Sequence, residues 1–168
     1  MRQSERLSAL PPATRTRSRR LPTKQQLATW RAFIETTERL RSELAARLQT
    51  ESGLSLSDYA VLLALHDADD HRLRSSVLAT RVGWQRSRLS HHLGRMERRG
   101  LIDRQECSTD NRGAEIVLTP TGQAAFRAAT VPHLRAVREL FIDALTPEQL
   151  ETVQDITAAL RSQLTGPA

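Results

Sequence analysis

Between residues 72 and 118 the sequence orders a short helical pattern, a glycine turn, a second helical pattern and two strand-like runs. Few chains of this size can satisfy that order in more than one way. Ser75 or Ser76 opens the first helix, which turns Val77, Leu78, Ala79 and Val82 inward, and Gly83 stops it. A second helix begins near Gln85 and runs to Arg99, with Gly100 as its stop. Leu101 and Ile102 start a strand. Asp110-Asn111-Arg112-Gly113 has turn chemistry, and Ala114 to Leu118 is β-branched enough to return as a second strand. Helix, turn, helix and hairpin together predict a winged helix-turn-helix.

The second helix has two unlike sides. At 100° per residue, Leu89, Leu93 and Met96 fall within about 60° of one another. The opposite side carries Ser87, His91, Gly94 and Arg98, flanked by Arg88 and Arg95. Arginine forks are suited to guanine edges and to phosphates. The charge follows the same division. The chain is +6 overall, and residues 71–112 hold ten Arg against four acids, whereas residues 25–70 hold four Arg against eight. A charge run is most simply a solvated face. It is also the footprint of a surface that binds nucleic-acid phosphates.

The rest of the chain reads as long helices. Residues 1–22 are rich in Arg, Ser, Thr and Pro without periodicity, and are expected to be a disordered basic tail. Thr23 caps a helix over 24–51 with Leu27, Trp30, Ile34, Leu40, Leu44 and Leu48 at helical spacing. Ser55 or Ser57 caps a second, nearly all-apolar helix ending near His66, followed by a polar loop from Asp67 to Arg72. Thr119-Pro120 starts a helix reaching about Ala144, with a kink expected at Pro132. Thr146-Pro147-Glu148-Gln149 is a capping box for a last helix.

Several classes are excluded. The longest apolar run, Tyr59 to Leu65, is far short of the ~20 residues of a membrane span. No apolar stretch follows the N-terminal arginines, so the expected location is the cytoplasm. Cys107 is the only cysteine, which rules out an internal disulfide. Aromatic residues are 4% of the chain, too few for single-strand stacking platforms. No nucleophile elbow, phosphate loop, catalytic carboxylate pair or H-E-x-x-H is present, so no enzyme, catalytic residue or cofactor is expected.

RLRSSVLATRVGWQRSRLSHHLGRMERRGLI at 72–102, DNRG at 110–113 and VLTPTG at 117–122 together resemble the MarR family of bacterial transcriptional regulators, over about residues 24–165. The resemblance implies a mainly α fold. A winged helix-turn-helix lobe with a two-stranded β wing would occupy 55–118, and a helical dimerisation region 23–54 and 119–168. It further implies a homodimer on a pseudo-palindromic double-stranded operator, probed by two recognition helices one helical turn apart. Helix 85–99 would enter the major groove, making Gln85, Arg86, Ser87, Arg88, Ser90, His91, Arg95 and Arg98 candidate contacts. Arg112 would reach the minor groove from the wing, held by Asp110.

Two positions depart from the family's pattern. Arg74 stands where a capping Ser or Thr is common, which shifts the expected cap to Ser75. Gly94 lies mid-helix at up to ~1 kcal/mol of helix propensity. The family also couples DNA release to small, often phenolic or anionic, effectors in a cleft beside the first, second and fifth helices. Trp30, Phe33, Tyr59 and His66 are candidates by position, with core packing as the plainer reading. Three other readings stay open. His66, Asp67, Asp69, Asp70 and His71 have metal-ligand chemistry but also the composition of a solvated loop. Cys107 beside Arg104 and Arg112 is a redox candidate, against the usual inertness of a strand cysteine. A winged helix can also serve protein contacts without DNA.

Overall fold

A computed structural model describes residues 21–106 and 114–165. The described residues fall into two units, one up to residue 35 and one from residue 36, with the boundary inside the first helix; all but the last two residues of the basic tail expected over 1–22 lie outside the described residues. The described part of the first unit belongs to α1 (Lys24–Ser52), capped reciprocally by Thr23 and Gln26. Trp30 and Phe33 on this stretch are 59% and 44% exposed.

The second unit contains the remaining elements. α2 (Leu56–His66) starts at a capping box: the Asp58 N–H donates to Ser55 Oγ, and the Ser55 N–H donates to Asp58 Oδ2. Its apolar sequence is buried on most sides, although Leu63 is partly exposed. A 3-10 turn over Asp69–His71 leads into β1 (Arg72–Arg74), and α3 (Ser75–Val82) follows directly. Gly83 ends α3 at a φ of 69°, with Trp84 N–H donating to Ala79 O and Gly83 N–H to Thr80 O. That left-handed closure favours glycine. It turns the chain into α4 (Arg86–Arg98), and Gly100 closes α4 in the same way.

β2 (Ile102–Glu106) and β3 (Ala114–Leu118) pair antiparallel, with Ile102 opposite Leu118 and Glu106 opposite Ala114. β1 pairs with the other edge of β3, Arg72 opposite Val117, so the sheet is three-stranded in the order β1-β3-β2. The expected two-stranded hairpin is present as β2 and β3, and β1 adds a third strand to it. The expected Ser75 cap is corrected: Arg74 is the N-cap residue of α3, without a side-chain capping bond. β3 turns Ile116 and Leu118 into a core shared with Leu48, Leu62, Leu65, Leu78, Leu89, Leu93 and Met96.

Thr119 caps α5 (Pro120–Val137) by accepting from the Gly122 N–H. α5 carries Pro132 in its interior and gives way to a π turn over Arg138–Ile142, so the α-helix expected to about Ala144 changes its winding before that point. α6 (Pro147–Thr165) starts at the Thr146–Gln149 capping box. Among the described residues no helix is long and apolar enough to cross a membrane.

Candidate nucleic-acid interface

α4 is amphipathic in the sense its sequence predicts. Leu89, Leu93 and Met96 are buried, whereas Arg86, Ser87, Arg88, Ser90, His91, Arg95 and Arg98 are exposed, as is the N-cap residue Gln85. The structure therefore brings all eight helix candidates to one accessible segment. Asp110 and Arg112, and Cys107 with them, lie outside the described residues.

The helix is fixed from three directions. On the sheet side, Arg104 of β2 donates through Nη2 to the Ser90 carbonyl at 2.9 Å and pairs through Nε with Glu97 at 3.2 Å. Glu97 is the single acid of α4, so this contact draws the helix's negative charge away from its arginines. On the turn side, the Arg88 guanidinium lies 4.6 Å above the Trp84 ring, a cation–π geometry. Trp84 in turn meets His92 edge-on, with ring centroids 5.3 Å apart at 89°.

On the core side stands a residue that the sequence reading passed over. His92 is 6% exposed, and Asp58 of α2 is 3% exposed. His92 Nε2 lies 3.0 Å from Asp58 Oδ1, a close but imperfectly aligned contact. Its Nδ1 lies 2.8 Å from Arg95 Nη2. Arg99 donates to Asp58 Oδ2 at 2.8 Å and to the Gly53 carbonyl at 2.9 Å. Burial alone would push the Asp58 carboxyl up. Contacts from His92, Arg99 and Ser55 outweigh it and hold the group well below the usual carboxylate range.

The effector candidates separate. Tyr59 packs tilted on Phe126 at 5.3 Å and on His133 at 4.6 Å, and His66 packs on Phe126 at 4.8 Å. The Tyr59 hydroxyl is 3.4 Å from Thr130 Oγ1. Burial pushes the His133 imidazole down. Trp30 and Phe33 belong to the other unit and are exposed there. In the loop with metal-ligand chemistry, the His66 and His71 rings stack 5.4 Å apart, and the His71 Nδ1 lies 3.1 Å from the His66 carbonyl. Among the described residues, no group of three or more His, Cys, Asp or Glu gathers as a metal site.

A helix-turn-helix backed by a small antiparallel sheet, with a basic and polar outer face on its second helix, defines the winged-helix class. Comparison with known proteins narrows this. The sequence model of the MarR family matches residues 52–113. AbsC, a MarR family transcriptional regulator from Streptomyces coelicolor, is 35% identical. The alignment covers 88% of this chain and 99% of AbsC, with a TM-score of 0.82. Sco3205, a MarR family regulator of the same organism solved in complex with DNA, is 32% identical over 90% of this chain and 94% of that one, with a TM-score of 0.86. The transcriptional repressor MprA of Escherichia coli K12 is 26% identical over 112 residues, 67% of this chain, and the match spans 63% of MprA's length. The chain belongs to the MarR family of transcriptional regulators, which places it among regulators rather than enzymes.

Proposed function

We propose that the chain is a homodimeric, sequence-specific repressor that binds a pseudo-palindromic DNA operator and is released by a small effector. One observation carries the reading: α4 exposes Gln85, Arg86, Ser87, Arg88, Ser90, His91, Arg95 and Arg98 while its apolar side is sealed into the core. Short polar groups and guanidinium forks on a rigid helix suit a major groove. Similarity to a regulator solved with DNA and to a named repressor supports it. In this reading Arg112, oriented by Asp110, enters the neighbouring minor groove.

Dimerisation through 23–54 and 119–168 is supported by large apolar side chains left in solvent. Val131, Leu134, Ile156 and Leu160 are all exposed, and Leu164 is 86% exposed. Apolar patches of that kind mark contact surfaces. A phenolic or anionic effector is supported by the cluster around Tyr59 and His66. There the Nδ1 atoms of His66 and His133 are buried and have no hydrogen-bond partner among the described residues.

Footprinting on the DNA upstream of the chain's own gene, repeated at several salt concentrations, tests the proposal. The expected result is a protected, two-fold symmetric site. Its affinity should fall steeply with salt, the log–log slope following about 0.9 per phosphate neutralised. No footprint, or binding indifferent to salt, overturns it.

A further inference from the structure

We infer that His92 is a positioning residue for DNA readout, holding Arg95 directly and Arg88 through Trp84 so that both guanidinium groups are set before DNA arrives. The inference rests on the reading of α4 as the recognition helix.

A buried polar side chain needs partners. Those of His92 agree on a single protonation pattern. The Arg95 guanidinium can only donate, so Nδ1, 2.8 Å away, must accept. The proton then sits on Nε2, which faces the Asp58 carboxylate, a group that can only accept, at 3.0 Å. Asp58 is itself fixed, by Arg99 at 2.8 Å and by the Ser55 N–H at 2.9 Å. A chain of contacts thus runs from the capping box of α2, through the core, to an arginine on the outer face of α4. The imidazole also meets the edge-on Trp84 ring, which in turn carries Arg88. An arginine free in solvent loses rotamer freedom on reaching a base edge or phosphate. One restrained beforehand loses less, which is the general advantage of preorganisation.

The bland alternative is that His92 only fills the core. Amide substitutions separate the two. The Asn amide falls near the position of Nδ1, and the Gln amide near that of Nε2. His92→Gln therefore keeps a donor for Asp58 and loses the acceptor for Arg95. His92→Asn keeps an acceptor for Arg95. The probe is the duplex that the wild-type, full-length chain enriches most strongly from a randomised double-stranded pool, with affinities measured at one fixed salt concentration. His92→Gln is expected to weaken binding roughly tenfold. His92→Asn should stay within about threefold of wild type. In an Arg95→Ala background, His92→Gln should add less than about twofold, because the group it acts through is gone.

An equal loss with and without Arg95, or a Gln variant that binds like wild type, overturns the assignment while leaving DNA recognition intact. Should the Gln variant fail to fold, the Asn variant decides alone: a tenfold loss despite its retained acceptor overturns the assignment. If the wild-type chain enriches no duplex at all, the recognition-helix reading fails, and this assignment with it.

Discussion

Asp58 illustrates how much one buried carboxylate can organise. It receives contacts from Ser55, His92 and Arg99 and sits between α2 and α4. Asp58→Ala should lower the unfolding free energy at neutral pH by about 3 kcal/mol, measured by urea denaturation, because the buried His92 and the half-buried Ser55 N–H lose their partner along with the exposed Arg99. The sign of its pH dependence follows from its depressed folded-state pKa. The stabilisation is fully present above the unfolded value of 3.8 and is lost as pH falls through and below it. The gap between parent and Asp58→Ala should therefore narrow in acid, and a gap constant down to pH 3 would refute the assignment.

Two glycines give a contrasting pair. A Cβ on Gly122 would collide with the Leu101 carbonyl and with Leu118 Cδ1, so Gly122→Ala should destabilise by about 3 kcal/mol. A Cβ on Gly94 would meet nothing nearer than Arg104 Nη2 at 3.6 Å, so Gly94→Ala should stabilise by up to about 1 kcal/mol. Thermal melts of the two variants should move in opposite directions. His92 was within reach of the sequence. The angular test that groups Leu89, Leu93 and Met96 also places it about 40° from Met96, on the inner side. A histidine in a run of arginines and serines reads as surface, and its partner Asp58 is 34 residues away, so residue type concealed what spacing implied.

At the scale of elements, α4 was the most legible. Its start, stop and buried face are all local, and Gly83 and Gly100 bracket it as its sequence predicts. β1 was not legible. Three residues, Arg-Leu-Arg, cannot display a period of two, and the strand exists only because β3, more than 40 residues later, offers it an edge. The functional consequence belongs to α4. Arg88→Ala and Arg98→Ala should each weaken operator binding by about 1–3 kcal/mol. Arg98→Ala should leave the melting temperature unchanged, and Arg88→Ala, which also loses its contact with Trp84, should lower it only slightly. If either contact is to a phosphate, the loss should be uniform across DNA sequences, and the salt slope should shrink by about 1. Unchanged binding in both variants would remove α4 from the interface.

For the whole molecule, the decisive quantity is apolar surface left without a partner. Leu134 on α5 is 57% exposed, and Ile156 and Leu160 on α6 are each 46% exposed. The sequence predicts the two helices that carry these residues but could not say what covers them, since an apolar stripe looks the same whether it faces its own core or a second copy. Leu134→Glu combined with Ile156→Glu should convert a dimer to monomers in sedimentation velocity and reduce operator affinity, while circular dichroism stays unchanged. A parent chain that sediments as a monomer at micromolar concentration would refute the dimer.

The tie between Arg104 and Glu97 bears on this larger scale as well. Loss of that strand arginine would do more than loosen a helix. It would return an uncompensated negative charge to the very segment proposed to approach a polyanion, so a side chain of the sheet helps set the local potential its neighbours present.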